Sequence, residues 1–173
     1  MALEAAQLRI TAPTGPNIPG RGFYQVEEDR LFVQIGLFAP DRRFFSYLDT
    51  ARVKLDFDRN ARLIFIEVNE PRRRWPIDTE LRLPKRAEPA DARFLGFRDT
   101  LPPTHLTATD NHATLRLSFS AEPITRTIQL ARNVVLQADS HNRLTALWIG
   151  GIVDDHGGRK LAAYRKRCLR LAR

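Results

Sequence analysis

The residues best placed to do chemistry come in three sets, and the first is a repeated acid–base pair. Asp58 and Arg62 in "VKLDFDRNARLIFIEV" return as Asp139 and Arg143 in "VVLQADSHNRLTALWI", at a constant offset of 81 (58 to 139, 62 to 143). Two aspartates so repeated could act as general acid and base, or as cation ligands. An aspartate just before a tight turn also accepts backbone N–H bonds, and an arginine four residues on can bridge it. The pattern favours the turn. The second set holds the histidines, His105, His112, His141 and His156, which show no metal-ligand spacing. Asp155 beside His156 evokes a catalytic dyad, but adjacent side chains rarely point at one substrate. Gly157 and Gly158 read as a turn ahead of a helix.

The third set is basic. "PRRRWP" joins Arg72, Arg73 and Arg74 to Trp75, a combination suited to phosphate contact and base stacking. The end of the chain adds Arg159, Lys160, Arg165, Lys166, Arg167, Arg170 and Arg173. The alternative is a solvated helix face and a loop whose tryptophan packs into the body. No nucleophile elbow, phosphate-binding glycine loop or dinucleotide turn is present, so no catalytic residue, cofactor or metal is assigned. Cys168 is the one cysteine, which rules out an intramolecular disulfide and a C-x-x-C site. It sits on an apolar helical stripe, where a packed core residue is the commoner outcome.

The elements that position these groups follow from hydrophobic period. Residues 1–22 carry Pro13, Gly15, Pro16, Pro19, Gly20 and Gly22 and read as an arm, with a short edge strand before the prolines. Residues 23–83 read as a first β unit. Leu31, Val33, Ile35 and Leu37 alternate, as do Val53, Leu55 and Phe57, with Lys54, Asp56 and Asp58 on the opposite face. Residues 84–104 read as a connector, whose Arg93, Phe94, Leu95 and Phe97 suggest packing. Residues 105–153 read as a second unit. Residues 154–173 end in an amphipathic basic helix with Leu161, Tyr164, Cys168 and Leu171 at helical spacing.

The two units read as a duplication. Beyond Asp58/Asp139 and Arg62/Arg143, Val53, Leu55, Leu63, Ile66 and Val68 match Val134, Leu136, Leu144, Leu147 and Ile149. Upstream, Leu31, Val33, Ile35 and Leu37 align with Ala113, Leu115, Leu117 and Phe119 at an offset of 82 (31 to 113). The expected fold is mainly β (α+β): two related antiparallel units about a pseudo-twofold axis, plus the C-terminal helix. Leu55, Ile66, Leu136 and Leu147 are expected between the facing sheets.

Tyr24, Asp29, Leu31, Phe32 and Val33, closing with Val53, Asp58, Leu63, Ile66 and Glu67, resemble the small bacterial and archaeal family known as domain of unknown function 2283. The resemblance spans residues 24–68 and is looser over residues 106–152, where Trp148 replaces the glutamate and no tyrosine opens the unit. It implies a compact β-rich module and carries no activity or catalytic residues.

Charge narrows the partners. The formal net charge is +8, but seven of the 28 basic residues and none of the 20 acidic ones fall between Arg159 and Arg173. A near-neutral body with a basic end points to an acidic partner. No signal peptide or membrane-length apolar run is visible, so the expectation is a cytoplasmic chain, with homo-oligomers open. The leading expectation is a non-enzymatic binding or assembly protein that docks a macromolecular partner through its N-terminal arm and basic helix. The alternatives are an RNA- or DNA-binding protein using Arg72–Trp75 and that helix, or an enzyme with a site between the units.

Overall fold

The alternating apolar segments fold as strands in a computed structural model that describes residues 6–13, 15, 18–36, 42–95 and 101–171. Leu37, Phe97 and Arg173 lie outside the described residues. The first half forms β1 (Gln7–Thr11), β2 (Gly20–Gln25), β3 (Arg30–Ile35), β4 (Ser46–Asp49), β5 (Val53–Phe57) and β6 (Leu63–Val68). A 3-10 turn at Arg72–Arg74 and a short β7 (Glu88–Pro89) follow. The second half forms β8 (Asp91–Leu95), β9 (His105–Ala108), β10 (Leu115–Ser118), β11 (Arg126–Ala131), β12 (Val134–Ala138), β13 (Leu144–Ile149), β14 (Val153–Asp155) and the helix α1 (Arg159–Leu171).

Two six-stranded sheets result, ordered β14-β2-β3-β6-β5-β4 and β7-β11-β12-β13-β10-β9. From β2, the strands native to the first unit run β2-β3-β6-β5-β4. From β9, those of the second run β9-β10-β13-β12-β11, the same order. Register carries the likeness further. Leu31 faces Val68 in one unit and Leu115 faces Ile149 in the other. The upstream offset is therefore 84 (31 to 115), not 82. A shift of two residues keeps every side chain on its own face, so alternation alone cannot detect it.

Each unit sends its tail to the other. β14 pairs in parallel with β2, while Ile77 makes a parallel bridge to Ala108 of β9. β7 adds a second parallel edge, on β11. The sheets are thus mixed where purely antiparallel units were expected. The N-terminal arm and the connector meet in a strand pair. β1 pairs with β8, Gln7 to Leu95 through Thr11 to Asp91, and β2 already begins at Gly20. Residues 7–11 are therefore laid against the chain itself. This ribbon ties the two Asp–Arg turns together: Leu8 donates to Asn142 O at 2.8 Å and Phe94 to Ala61 O at 2.9 Å.

Between the sheets lies one apolar cluster. Leu55, Ile66, Leu136 and Leu147 are all fully buried in it, as the alternation requires. At one margin β2 runs against the β11–β12 hairpin so closely that a Cβ on Gly20 would meet Arg132 O at 2.4 Å. Asn133, at a left-handed φ of 65°, closes that hairpin; asparagine is among the few residues that take this conformation readily. The outer faces are covered differently. Leu161 and Tyr164 of α1 lie on Phe23, Ile64 and Phe65 of the first sheet. Leu81, Leu83 and Ala87 lie on Val135, Ala146 and Trp148 of the second.

Candidate functional site

The repeated aspartates set turns. Asp58 Oδ1 accepts the backbone N–H of Asn60 at 2.8 Å and of Arg62 at 3.0 Å, and Asp58 Oδ2 meets Arg62 Nε at 2.7 Å. Asp139 repeats this with His141 N at 2.9 Å, Arg143 N at 2.9 Å and Arg143 Nε at 3.1 Å. Burial alone would raise the Asp139 pKa; the N–H bonds from Arg143 and His141 and the Arg143 charge outweigh it and hold the carboxyl below its ordinary range. Both carboxylates spend their lone pairs on their own loops. Asp155 is likewise structural. Fully buried, it accepts Gln25 Nε2 at 2.7 Å and the N–H groups of Lys160 at 2.7 Å and Leu161 at 3.1 Å, so it caps α1 from outside the helix. His156 turns away to Glu27, at 3.4 Å.

The first basic cluster is largely spent on the fold. Arg72 pairs with Asp154 and lies 4.4 Å from the Tyr24 ring centre, and Arg73 meets Asp29 at 3.0 Å. Arg74 is exposed. Trp75 is only 3% exposed, and its indole N–H donates to Glu70 O at 2.9 Å. It packs edge-on against Tyr24 and His112, so it offers no stacking surface.

The second cluster divides by helix face. Leu161, Tyr164 and Cys168 turn inward, and burial pushes the Cys168 thiol up. Arg165 is half-buried: its Nε donates to Gln34 Oε1 at 3.0 Å and its guanidinium lies 5.4 Å from the Phe65 ring centre. Arg159, Lys160, Lys166, Arg167 and Arg170 are exposed. Among the described residues none of these five meets an acidic side chain. At 100° per residue, Arg159, Lys166 and Arg170 share one outward stripe about 16 Å long. The two basic clusters approach each other at Asp154, whose pKa is lowered first by its bond from Arg72 and further by the charges of His156 and Lys160.

A second site was not singled out by the sequence reading. Beside α1, the outer face of the first sheet opens into a cleft of about 530 Å³. Two cross-strand ladders make its floor. One runs Lys54–Glu67–Phe32, the other Tyr47–Asp56–Phe65. Phe44, Phe45 and Tyr47 stand at its wall, each more than half exposed, and Leu161 and Arg165 close the other side. Lys54 Nζ lies 3.5 Å from both Asp56 and Glu67 and 4.8 Å from the Tyr47 ring centre. Burial first, and then a hydrogen bond shared with the neighbouring Glu67, push the Asp56 carboxyl up to about 7. Burial alone would lower the Lys54 pKa, but the two carboxylates outweigh it and raise it.

Comparison of the two units exposes this site. The counterparts of Lys54, Asp56 and Glu67 are Val135, Gln137 and Trp148, from the paired registers. There the indole N–H of Trp148 donates to Gln137 Oε1 at 2.7 Å, and the pair is buried. One unit closes this face with neutral, mutually satisfied groups; the other leaves three ionisable ones in an open cleft. No protein-family model matches the chain and no curated protein matches it. The resemblance noted over residues 24–68 therefore rests on its residues alone.

Proposed function

We propose that the chain is a non-enzymatic binding protein that docks an acidic macromolecule through the outward face of α1. One observation carries this reading: five cationic side chains are exposed on a 13-residue helix, and among the described residues none of them forms an ion pair with an acidic side chain. Helix stability does not call for this arrangement. Arg159 and Lys160 sit in the first turn, where the helix dipole disfavours cations. The inward face holds the helix on the first sheet through Leu161, Tyr164 and the Asp155 cap, so the charges are presented on a fixed scaffold. The N-terminal arm drops out of this reading over residues 7–11, because β1 is paired with β8.

An enzyme site between the units is disfavoured, because the described side chains clustered there are apolar. Single-stranded nucleic acid is the second reading. Trp75 no longer favours it, but the exposed rings of Phe44, Phe45 and Tyr47 near α1 do.

The test is a pull-down from the native host with the tagged full chain and a Lys166→Glu/Arg170→Glu variant, with and without nuclease. A partner held by the wild type, lost from the variant and released by moderate salt is expected. Identical capture by both proteins would overturn the reading. Release by nuclease would select the nucleic-acid form.

A further inference from the structure

The cleft on the first sheet has a chemistry that docking by α1 leaves unused. Its volume falls within the roughly 300–1,000 Å³ of small-ligand sites. Its apolar walls are aromatic. Phe32 and Phe65 stack at 5.6 Å between ring centres, and Phe44 meets Phe65 edge-on at 5.8 Å. Phe45 is 63% exposed and Tyr47 52%, so neither ring is committed to the core. Four ionisable groups from three elements line the cleft: Lys54 and Asp56 from β5, Glu67 from β6 and Arg165 from α1. The fold does not require three of them, because the positions matching Lys54, Asp56 and Glu67 in the second unit are Val135, Gln137 and Trp148. Burying ionisable groups where a neutral set also fits costs stability.

We propose that this cleft binds a nucleobase, its ring against the aromatic wall and its polar edge toward Asp56 and Glu67. Three features select that class. The rings offer π-faces to a planar ligand. The carboxyl groups of Asp56 and Glu67 offer acceptors, and the Lys54 ammonium, 3.5 Å from each, is a donor beside them. A base edge needs both, since its N–H groups must find acceptors and its ring nitrogens or carbonyls donors. The ammonium of Lys54 and the guanidinium of Arg165 supply the positive charge a neighbouring phosphate would meet. Tyr47, Lys54, Glu67 and Arg165 are the titratable and charged groups that face Asp56 from β4, β5, β6 and α1. A free nucleotide and an unpaired base of a single strand present the same chemistry. The site is built from side chains other than the five outward cations of α1, so it stands or falls separately from docking there.

Calorimetric titration of the full chain tests the proposal, with the four nucleoside 5′-monophosphates and a single-stranded hexanucleotide as probes. Asp56→Asn keeps the shape of the floor and removes its ionisable carboxyl. Phe45→Ala/Tyr47→Ala removes exposed ring surface, with little core to lose. Lys166→Glu/Arg170→Glu is the control outside the cleft. Saturable binding of at least one mononucleotide is expected. The ring variant should weaken it by roughly tenfold or more, as stacking on one base is worth about 1–3 kcal/mol. Asp56→Asn should weaken it or change which base is preferred, while the α1 variant leaves mononucleotide binding unchanged. Equal affinity for mononucleotide and hexanucleotide identifies the free nucleotide as the source. Much tighter binding of the hexanucleotide, still sensitive to the ring and Asp56 variants, identifies the strand. No mononucleotide binding up to about 10 mM, weaker than about −3 kcal/mol, overturns the proposal. So does binding that both cleft variants leave intact.

Discussion

Replacing Asp58 by alanine isolates what the repeated aspartate does. Asp58 is fully buried and receives three N–H bonds, from Asn60, from the Arg62 backbone and from Arg62 Nε. Alanine leaves the two backbone donors without their acceptor, and each unsatisfied buried donor costs about 1–3 kcal/mol. Asn60 lies at the exposed tip of the turn, where water can replace the carboxylate, so its share is small. Arg62 N–H sits inside the turn and carries most of the loss. Removing the carboxylate also relieves the cost of burying it, which offsets part of the penalty. The expected net loss is about 2–3 kcal/mol out of a typical total of about 5–15 kcal/mol. Asp58→Asn keeps Oδ1 for both backbone donors but sets an NH2, which cannot accept, against Arg62 Nε, so it loses that charged bond and should cost about 1–2 kcal/mol. Urea denaturation followed by circular dichroism reads both values from the shift in midpoint at constant slope. Asp139→Ala should behave alike, because the same three bonds are repeated at His141 and Arg143. A loss below about 0.5 kcal/mol for Asp58→Ala would refute the turn account, since it would fall within the range of an ordinary surface change.

Two further outcomes follow from the same contacts. Burial and Glu67 raise the folded-state pKa of Asp56 to about 7. The stability it contributes is therefore fully present below its unfolded pKa of about 4 and lost as pH rises through about 7. Asp56→Asn should flatten stability between pH 4 and 8 and be relatively more stable at the alkaline end; parallel pH profiles for the two proteins would contradict this. Asp155→Ala should lower stability by about 2–4 kcal/mol, from a lost helix cap and an unsatisfied Gln25 amide. It should also speed hydrogen exchange across Arg159–Leu171 before the strands respond; unchanged exchange in α1 would contradict the capping role.

The strands were legible because their apolar residues recur at period two, and α1 because Leu161, Tyr164 and Cys168 recur at helical spacing. The turns were legible because Asp58 and Asp139 carry their own local bonding. The exchange between units was not. Nothing local marks that Ile77 and Val153–Asp155 cross to the other sheet, since parallel edge pairing is decided by tertiary packing. Trp75 misled because arginines beside a tryptophan look alike whether the ring faces solvent or, as here, Tyr24 and His112. The cleft was half visible. Lys54 and Asp56 were read on the polar face of a strand, but Glu67, Tyr47 and Arg165 join them only through register and helix placement. Subtracting one unit from the other would have found it: Lys54, Asp56 and Glu67 stand against Val135, Gln137 and Trp148.

The salt dependence of polyanion binding tests docking by α1 most directly. A labelled single strand of about 20 nucleotides serves as the polyanion, and each neutralised phosphate contributes a slope of about −0.7 in log K against log salt. With five exposed cations the wild type should show a slope of about −3.5. The Arg159→Gln/Lys166→Gln/Arg170→Gln variant should lose about 2 units of that slope, with its stability unchanged. An identical slope in the variant, or no affinity for the polyanion even at low salt, would contradict the account.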